Sequence, residues 1–336
     1  MDLPFDSVEQ LFIALARIDS PSLAEDELLA FVASLLAPAG FPVRYDRYGN
    51  MVASSPDAYE AATPPVLLTC HGDIESNGKP IDPQIIDGRI VATGGNVLGA
   101  DNKAALACAL WVMLGKPQRP VELVVTRNEE NGFVGARSFD TSLVRSRAGL
   151  NLDGTDASTI MVSSLYWYDL HCPDSSTTAE LAEIATSLEE IGEVRRTKVG
   201  TGDDRNRIFV FADSAEADIA IHDVVTGHVD GPYRLVLSTP GYSVSDDDPL
   251  VLALSSSIAR AGLTPIISSE IVGTEGCIFN SRGISMVTTG VTYSGEHTAE
   301  ESVTVDALRQ SVRIIDAFID NYPDNVDAAK RRQGML

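Results

Sequence analysis

Long apolar runs are missing from this sequence. No stretch approaches the roughly 20 residues needed to cross a bilayer. The amino terminus, MDLPFDSVEQ, lacks a basic segment followed by an apolar one and so does not resemble a signal peptide. These absences predict a cytoplasmic protein with no membrane partner. Cysteine is sparse: Cys70, Cys108, Cys172 and Cys277 form no C-x-x-C pair and no zinc-ribbon spacing. The pattern predicts small buried thiols in a reducing compartment rather than a disulfide framework. Basic residues are outnumbered, 25 Lys and Arg against 48 Asp and Glu, for a net charge of −23. That imbalance argues against nucleic acid and anionic membrane surfaces as partners, and most of it reads as solvated acidic surface. There is no G-x-S-x-G elbow, no H-E-x-x-H and no P-loop. The glycines of residues 93–99 read as a turn ahead of Asp101 rather than a phosphate cradle.

What is present suits a soluble chain of two domains. The 336 residues are 44% hydrophobic and 22% charged, with only two Trp, so the core is aliphatic. Helical spacing runs through 7–18 and 22–37, the second opening on Ser22 and Glu25 in capping-box positions. PVRYDRY and MVASSP, joined at Gly49-Asn50, predict a β-hairpin. Apolar runs at 64–70, 121–126 and 148–153 read as buried strands, with a helix over 103–114. From 156 the pattern changes to a strand-like run STIMVSSLYWYDLHC, one helix over 177–191, and the segments RIFVFA and YRLVLSTPG. Helices at 249–261 and 305–320 and a strand near 285–289 then resume the first pattern. The expected fold is α/β, with a sheet covered by helices over 1–155 and 247–336 and a smaller α+β, lid-like domain inserted at 156–246.

Each apolar strand ends in a polar cluster, where sites gather in such sheets. In order these are His71-Gly72-Asp73, Asp101-Asn102-Lys103, Glu129-Glu130, Asp153 and, much later, His297. Imidazoles and carboxylates are the ligand set for zinc, cobalt or manganese. Two imidazoles and three carboxylates serve two ions if one carboxylate bridges, leaving room for a shared water made acidic by the pair. Asp73, two residues beyond His71, is placed to fix that imidazole's tautomer. Neighbouring side chains diverge, so of Glu129 and Glu130 one can bind metal while the other acts as general base.

The stretches LLTCHGD, LGADNKAALA, TRNEENGFVGAR, LNLDG and GTEGCIFNSRGISMVTTGVTYSGEHTAEE resemble the M20 metallopeptidase family, and within it the tripeptidase T-like branch. The similarity spans roughly 1–154 and 249–325 and covers the middle poorly. The resemblance implies a zinc-peptidase-like catalytic domain, with a mixed sheet flanked by helices, interrupted by a lid that often also dimerises. It implies that His71 and Asp153 hold one ion and Glu130 and His297 the other, with Asp101 bridging. Glu129 becomes the catalytic base and Asp73 the partner of His71. The cofactor is two divalent ions, Zn2+ first and Co2+ or Mn2+ as alternatives, and the partners are a short peptide and a second copy of the chain.

Some segments depart from the family pattern. Relatives usually carry an Asp and an Asn where Val272-Gly273-Thr274-Glu275-Gly276-Cys277 places Glu275 and Cys277, so Cys277 stands where substrate is contacted. Asn280 and Arg282 follow closely, and Arg282 is a candidate for a substrate carboxylate. Asn102 stands where Asp is common, with little consequence expected. His171, His222 and His228 match poorly the lid histidine that helps an oxyanion in relatives. The reading that results is an exopeptidase of the aminopeptidase or tripeptidase kind. An amidohydrolase of N-acyl amino acids and a metal-binding protein that has lost turnover are the alternatives.

Overall fold

A computed structural model describes residues 5–56, 64–229, 231–271 and 273–323 of the chain; Val272, the start of the expected segment 1–155 and the end of the expected segment 247–336 lie outside them. Helix α1 (Val8–Ala16) is capped by the Ser7 hydroxyl, which accepts from Gln10 N, and buries Leu11, Phe12 and Leu15. Helix α2 (Asp26–Leu36) starts a turn later than its capping signal implies and has no side-chain cap. Leu23, at φ +72°, interrupts the helical path, and Ser22 and Glu25 bond to distant parts of the chain instead. Strands β1 (Val43–Tyr45) and β2 (Met51–Ser54) form the expected hairpin. Its turn is held by Asp46, whose Oδ1 accepts from the amides of Tyr48, Gly49 and Asn50.

Strand β3 (Val66–His71) precedes an unforeseen hairpin of β4 (Pro83–Ile86) and β5 (Arg89–Ala92). Asp87 and Gly88 both have positive φ there, the signature of a two-residue hairpin turn. Helix α3 (Ala100–Leu114) becomes regular only after Asp101 and Asn102, whose dihedrals are not helical. From Ala104 on it is apolar on every side and buried except at Trp111. After it come β6 (Val121–Thr126), α4 (Val134–Ser138), β7 (Ala148–Gly154) and β8 (Thr159–Ser164). The run expected as one strand breaks at Leu165 into β8 and β9 (Tyr166–His171). Helix α5 (Thr178–Glu189) opens on a Thr177–Glu180 capping box, followed by β10 (Val194–Val199), β11 (Arg207–Ala212), α6 (Ala217–His228), β12 (Arg234–Thr239) and β13 (Tyr242–Ser243). The chain continues through α7 (Pro249–Arg260), β14 (Ile266–Glu270), α8 (Glu275–Ser281), β15 (Ser285–Gly290), β16 (Tyr293–Ser294), β17 (Ser302–Thr304) and α9 (Val305–Asn321).

Two compact units result: Met1–Val162 with Val244–Ser268 and Thr274–Leu336, and Ser163–Ser243 with Ser269–Gly273. The smaller unit thus starts later than residue 156, because Met161 of β8 pairs with Thr288 of β15 and keeps the start of β8 with the larger sheet. It also ends earlier than residue 246 and gains a short later segment.

In the larger unit the sheet runs β1-β2-β6-β3-β7-β15-β8, with β6, β3, β7 and β15 parallel and the flanking pairs antiparallel. Every residue of β3, β6 and β15 is buried, as a strand must be when both sheet faces are covered. A second antiparallel sheet, β16-β17-β5-β4, belongs to the same unit. In the smaller unit, β10-β11-β9-β12 is antiparallel, and its core gathers Leu170, Ile184, Leu188, Ile208, Val210 and Ile221 from the sheet, α5 and α6.

The parallel core tolerates no side chain at Gly149, where a Cβ would stand 2.1 Å from the Leu67 carbonyl oxygen of the neighbouring strand. Gly149→Ala is expected to destabilise the protein by about 3 kcal/mol or more, the upper end of ordinary overpacking, because backbone rather than a rotamer must move. Urea unfolding of the two proteins measures it.

Candidate metal centre

Strands β6, β3 and β7 lie side by side and point the same way, so their carboxyl ends form one rim. β3 ends on His71, β6 leads through Arg127 and Asn128 into Glu129 and Glu130, and β7 carries Asp153. The irregular start of α3 adds Asp101, and the loop after β16 adds His297, held at φ +59°.

Asp101 lies between the two imidazoles. Its Oδ1 is 3.2 Å from His71 Nε2 and its Oδ2 is 3.2 Å from His297 Nε2. His71 Nε2 is also 3.3 Å from Asp153 Oδ1, and His297 Nε2 is 3.2 Å from Glu130 Oε1. Possible ligand atoms of His71, Asp101 and Asp153 lie within 4.8 Å of one another, as do those of Asp101, Glu130 and His297. A third such group is His71 with Glu129 and Glu130. Glu130 Oε1 is buried and has no hydrogen-bond partner despite its nearness to His297. The imidazoles and carboxylates meet one another directly here, and each group of three keeps its possible ligand atoms close enough to surround one cation. The residues present therefore fit two divalent ions with Asp101 common to both.

The electrostatics agree with that fit. Burial pushes the Glu129 carboxyl well above its ordinary range, and Asp153, Glu275 and Glu130 add to the rise. Burial likewise raises Glu130 to about 7. Burial alone would depress the His71 imidazolium, but Glu129, Asp101, Asp153 and Asp73 together hold it well above its usual value. The hydrogen bond from His297 to Asp101 raises His297 to about 9, assisted by the Glu130 charge. A site this rich in carboxylates and poor in water favours any positive charge offered to it.

Asp73 acts differently from expectation. The nearer acceptor for His71 Nδ1 is the Asp73 backbone carbonyl at 3.1 Å, whereas its carboxylate is 3.6 Å away, too far for a hydrogen bond. An Nδ1–H donated to that carbonyl leaves Nε2 to face Asp101 and Asp153. The carboxylate accepts instead from Glu129 N (3.0 Å), Glu130 N (3.1 Å) and Ser22 Oγ (2.6 Å). Burial opposes its charge, but these bonds and the neighbouring imidazole bring its pKa down to about 2.

Three residues that the sequence reading gave no role in the metal site surround this centre. Glu301, which is buried, accepts from Gly99 N (2.7 Å) and Asp101 N (2.9 Å) and so fixes the approach to Asp101. Asn102 is more consequential than expected: its amide donates to Asp153 Oδ1 at 2.9 Å and to the Leu152 carbonyl at 3.1 Å, bonds that an Asp could not donate. Glu275 is fully buried, accepts from Thr126 Oγ1 at 2.7 Å and is pushed up to about 8 by burial. Glu275 and Asn102 carried a sequence signal, each as a departure from its relatives, and Glu301 carried none. Glu301 and Asn102 owe their roles to partners 200 and 51 residues away.

The residues expected at the substrate end make hydrogen bonds within the scaffold, with Cys277 buried, Asn280 half-buried and Arg282 exposed. The Cys277 thiol is buried, donates to the Thr274 carbonyl and is pushed up to about 12 by burial. Asn280 donates to the carbonyls of Gly276 and Met286 and accepts from Met286 N, which ties α8 to β15. Arg282 donates to the carbonyls of Ala136 and Arg137 at the end of α4. All three hold the scaffold together. In the smaller unit His222 meets Tyr233 Oη at 2.7 Å, and His228 lies between the Val224 carbonyl and Ser187. His171 is depressed by burial and by Arg207 and Arg234.

An α/β sheet with imidazoles and carboxylates converging at its strand ends defines the metallohydrolase class. The chain belongs to peptidase family M20/M25/M40, whose sequence model matches residues 68–321, and it is accordingly a hydrolase. It is similar to a Bacillus subtilis (strain 168) protein, YqjE, at 22% identity over 359 residues, covering 92% of this chain and 96% of that one. It is 29% identical over 159 residues to the cytosol non-specific dipeptidase of Escherichia coli (strain K12), covering 44% of this chain and 33% of that protein. The crystal structure of aminopeptidase PepT from Bacillus cereus ATCC 10987 shares the fold, with a TM-score of 0.77 at 22% identity over 94% of this chain and 98% of that one.

Metal must displace the proton that Asp101 and Glu130 stabilise on His297. Affinity for Zn2+ is therefore expected to tighten by about tenfold per pH unit for each proton released as pH rises from 7 toward 9, and to level off above. Glu130 steepens the slope near pH 7. Competition with a chelator of known pH dependence measures it, and a flat profile contradicts the assignment.

Proposed function

We propose that the protein is a two-metal exopeptidase that removes the amino-terminal residue of short peptides. The observation that carries this reading is Asp101, placed with one carboxylate oxygen toward each of two imidazoles. In this reading His71 and Asp153 hold one ion, Glu130 and His297 hold the other, and Asp101 serves both. Zinc suits the mix of imidazole and carboxylate. Two such ions, when bound, polarise the scissile carbonyl and make a nearby water acidic.

The chain's own residues do the rest. Glu129 is buried, belongs to a possible ligand group with His71 and Glu130, and has its backbone amide anchored on Asp73. Its carboxylate takes the proton of the attacking water and returns it to the nitrogen of the leaving amine. Asp73 and Asn102 orient His71, the 129–130 backbone and Asp153, so the groups are in place before substrate arrives. A cytosolic setting is supported by the similarity to the cytosol non-specific dipeptidase of Escherichia coli. No helix among the described residues is long and apolar enough to cross a membrane. Pairing of two copies through the smaller unit fits the place of β12 at the end of its sheet and the exposure of Leu237 there, at 42%.

Chelation should abolish peptide hydrolysis and added zinc or cobalt should restore it. Glu129→Gln should keep the metal and lower kcat by about 10²–10⁴. Full activity of that variant would overturn the mechanism. A panel of tripeptides, dipeptides and N-acyl amino acids tests the substrate: cleavage confined to free-amino peptides fits the proposal. Cleavage of blocked substrates makes it a deacylase instead, and no turnover with metal bound makes it a binding protein.

A further inference from the structure

One short loop touches three of the segments that carry the candidate metal centre. Residues 18–25 join α1 to α2 at the end of the fold where β3 and β6 terminate. The Ile18 carbonyl accepts from Lys103 Nζ at 2.6 Å, and Lys103, two residues past Asp101, is completely buried. Ser20 Oγ donates to the Gly72 carbonyl at 2.8 Å, Ile74 N donates to the Ser20 carbonyl, and Pro21 bridges to Ile74. The segment of His71 and Asp73 is thus bound on both sides. Ser22 Oγ donates to Asp73 Oδ2, the oxygen that also accepts Glu130 N.

Glu25 completes the set. Its side chain is fully buried, and Oε1 accepts from Leu23 N (3.1 Å) and Asn128 N (2.8 Å). Oε2 accepts from Arg127 Nε at 2.9 Å, and a second guanidinium nitrogen lies 2.8 Å away. Asn128 sits at φ +55°, in the left-handed region that Asn tolerates better than most residues with a side chain. That left-handed step turns the chain after β6 so that two consecutive amides, of Glu129 and Glu130, both meet the Asp73 carboxylate. Glu25 therefore holds the first residue of the turn and Ser22 holds the carboxylate on which the turn rests.

We propose that Ser22 and Glu25 are positioning residues for the metal centre, Ser22 acting through the Asp73 carboxylate on Glu130, and Glu25 acting through Asn128 on Glu129. The proposal rests on the metallohydrolase reading for its consequence to catalysis, but the positioning itself is measurable without turnover. Partners that orient metal ligands typically contribute 10–100-fold to metal affinity or activity. A pair whose only work was to stabilise the α1–α2 connection would leave affinity in the folded protein unchanged.

The test uses the full chain carrying Ser22→Ala, which removes a single hydroxyl from a loop, together with Ser22→Thr and Glu25→Ala. Amide hydrogen exchange, zinc affinity by chelator competition, thermal midpoint, and kcat and KM on a tripeptide are compared with the parent. In Ser22→Ala and Glu25→Ala the amides of residues 128–130 are expected to exchange at least about tenfold faster while those of β6 keep their protection. Zinc affinity should fall by about tenfold or more, with kcat falling at constant KM, and Ser22→Thr should restore all three. Unchanged zinc affinity and unchanged exchange at 128–130 in Ser22→Ala overturn the proposal. A uniform rise in exchange that tracks a lowered midpoint, with zinc affinity intact, also overturns it. If the parent hydrolyses nothing, the peptidase reading falls alone, because exchange and zinc titration still decide the positioning.

Discussion

Negative charge crowded into a poorly hydrated rim is the constraint around which this protein is organised. Asp73, Asp101, Glu129, Glu130, Asp153 and Glu275 sit at the ends of adjacent strands and helices, all of them buried or nearly so. Two like charges 4 Å apart repel by about 4 kcal/mol at the effective dielectric typical near a protein surface. Six such groups cannot all remain ionised without compensation. The raised pKa values of Glu129, Glu130, Asp153 and Glu275 express that repulsion and the loss of water.

Compensation comes in two forms. Backbone amides supply fixed dipoles that orient a carboxylate without adding a mobile charge. Asp73 takes the amides of Glu129 and Glu130, Glu301 those of Gly99 and Asp101, and Glu25 those of Leu23 and Asn128. Positive charge is the second form, from His71 and His297 within the chain and, in the proposed function, from divalent ions. Glu25, Asp73 and Glu301 thus differ from Glu130 and Asp101: the former accept from backbone amides, whereas the carboxylates of the latter face imidazoles.

Much of the architecture was legible because its signals are local. The runs VLLTC, VELVVT and AGLNLD are mostly apolar without period-two alternation, as strands covered on both faces require, and β3, β6 and β7 occupy them. The helix expected from residue 103 is where α3 becomes regular, since Asp101 and Asn102 are drawn out of helical geometry toward the site. Misreadings arose where one residue pattern serves two physical purposes. Ser22-x-x-Glu25 has the spacing of a capping box, but the same hydroxyl and carboxylate bond to Asp73 and Asn128 across 51 and 103 residues. Cys277, Asn280 and Arg282 lie within a family motif near the final histidine, yet their nearest polar partners are backbone carbonyls of their own scaffold.

The sequence by itself determined which residues could bind cations and the α/β frame that carries them, because residue type and hydrophobic period are properties of short segments. Tertiary structure alone decided how those residues meet. It placed Asp101 between two imidazoles separated by more than two hundred residues of chain, and gave Asp73 to the amides of the Glu129 turn rather than to His71 Nδ1. It also recruited Asn102, Glu301, Ser22 and Glu25 to hold that arrangement. A hydrogen bond depends on distance and angle between groups brought together by folding, and no spacing along the chain records either.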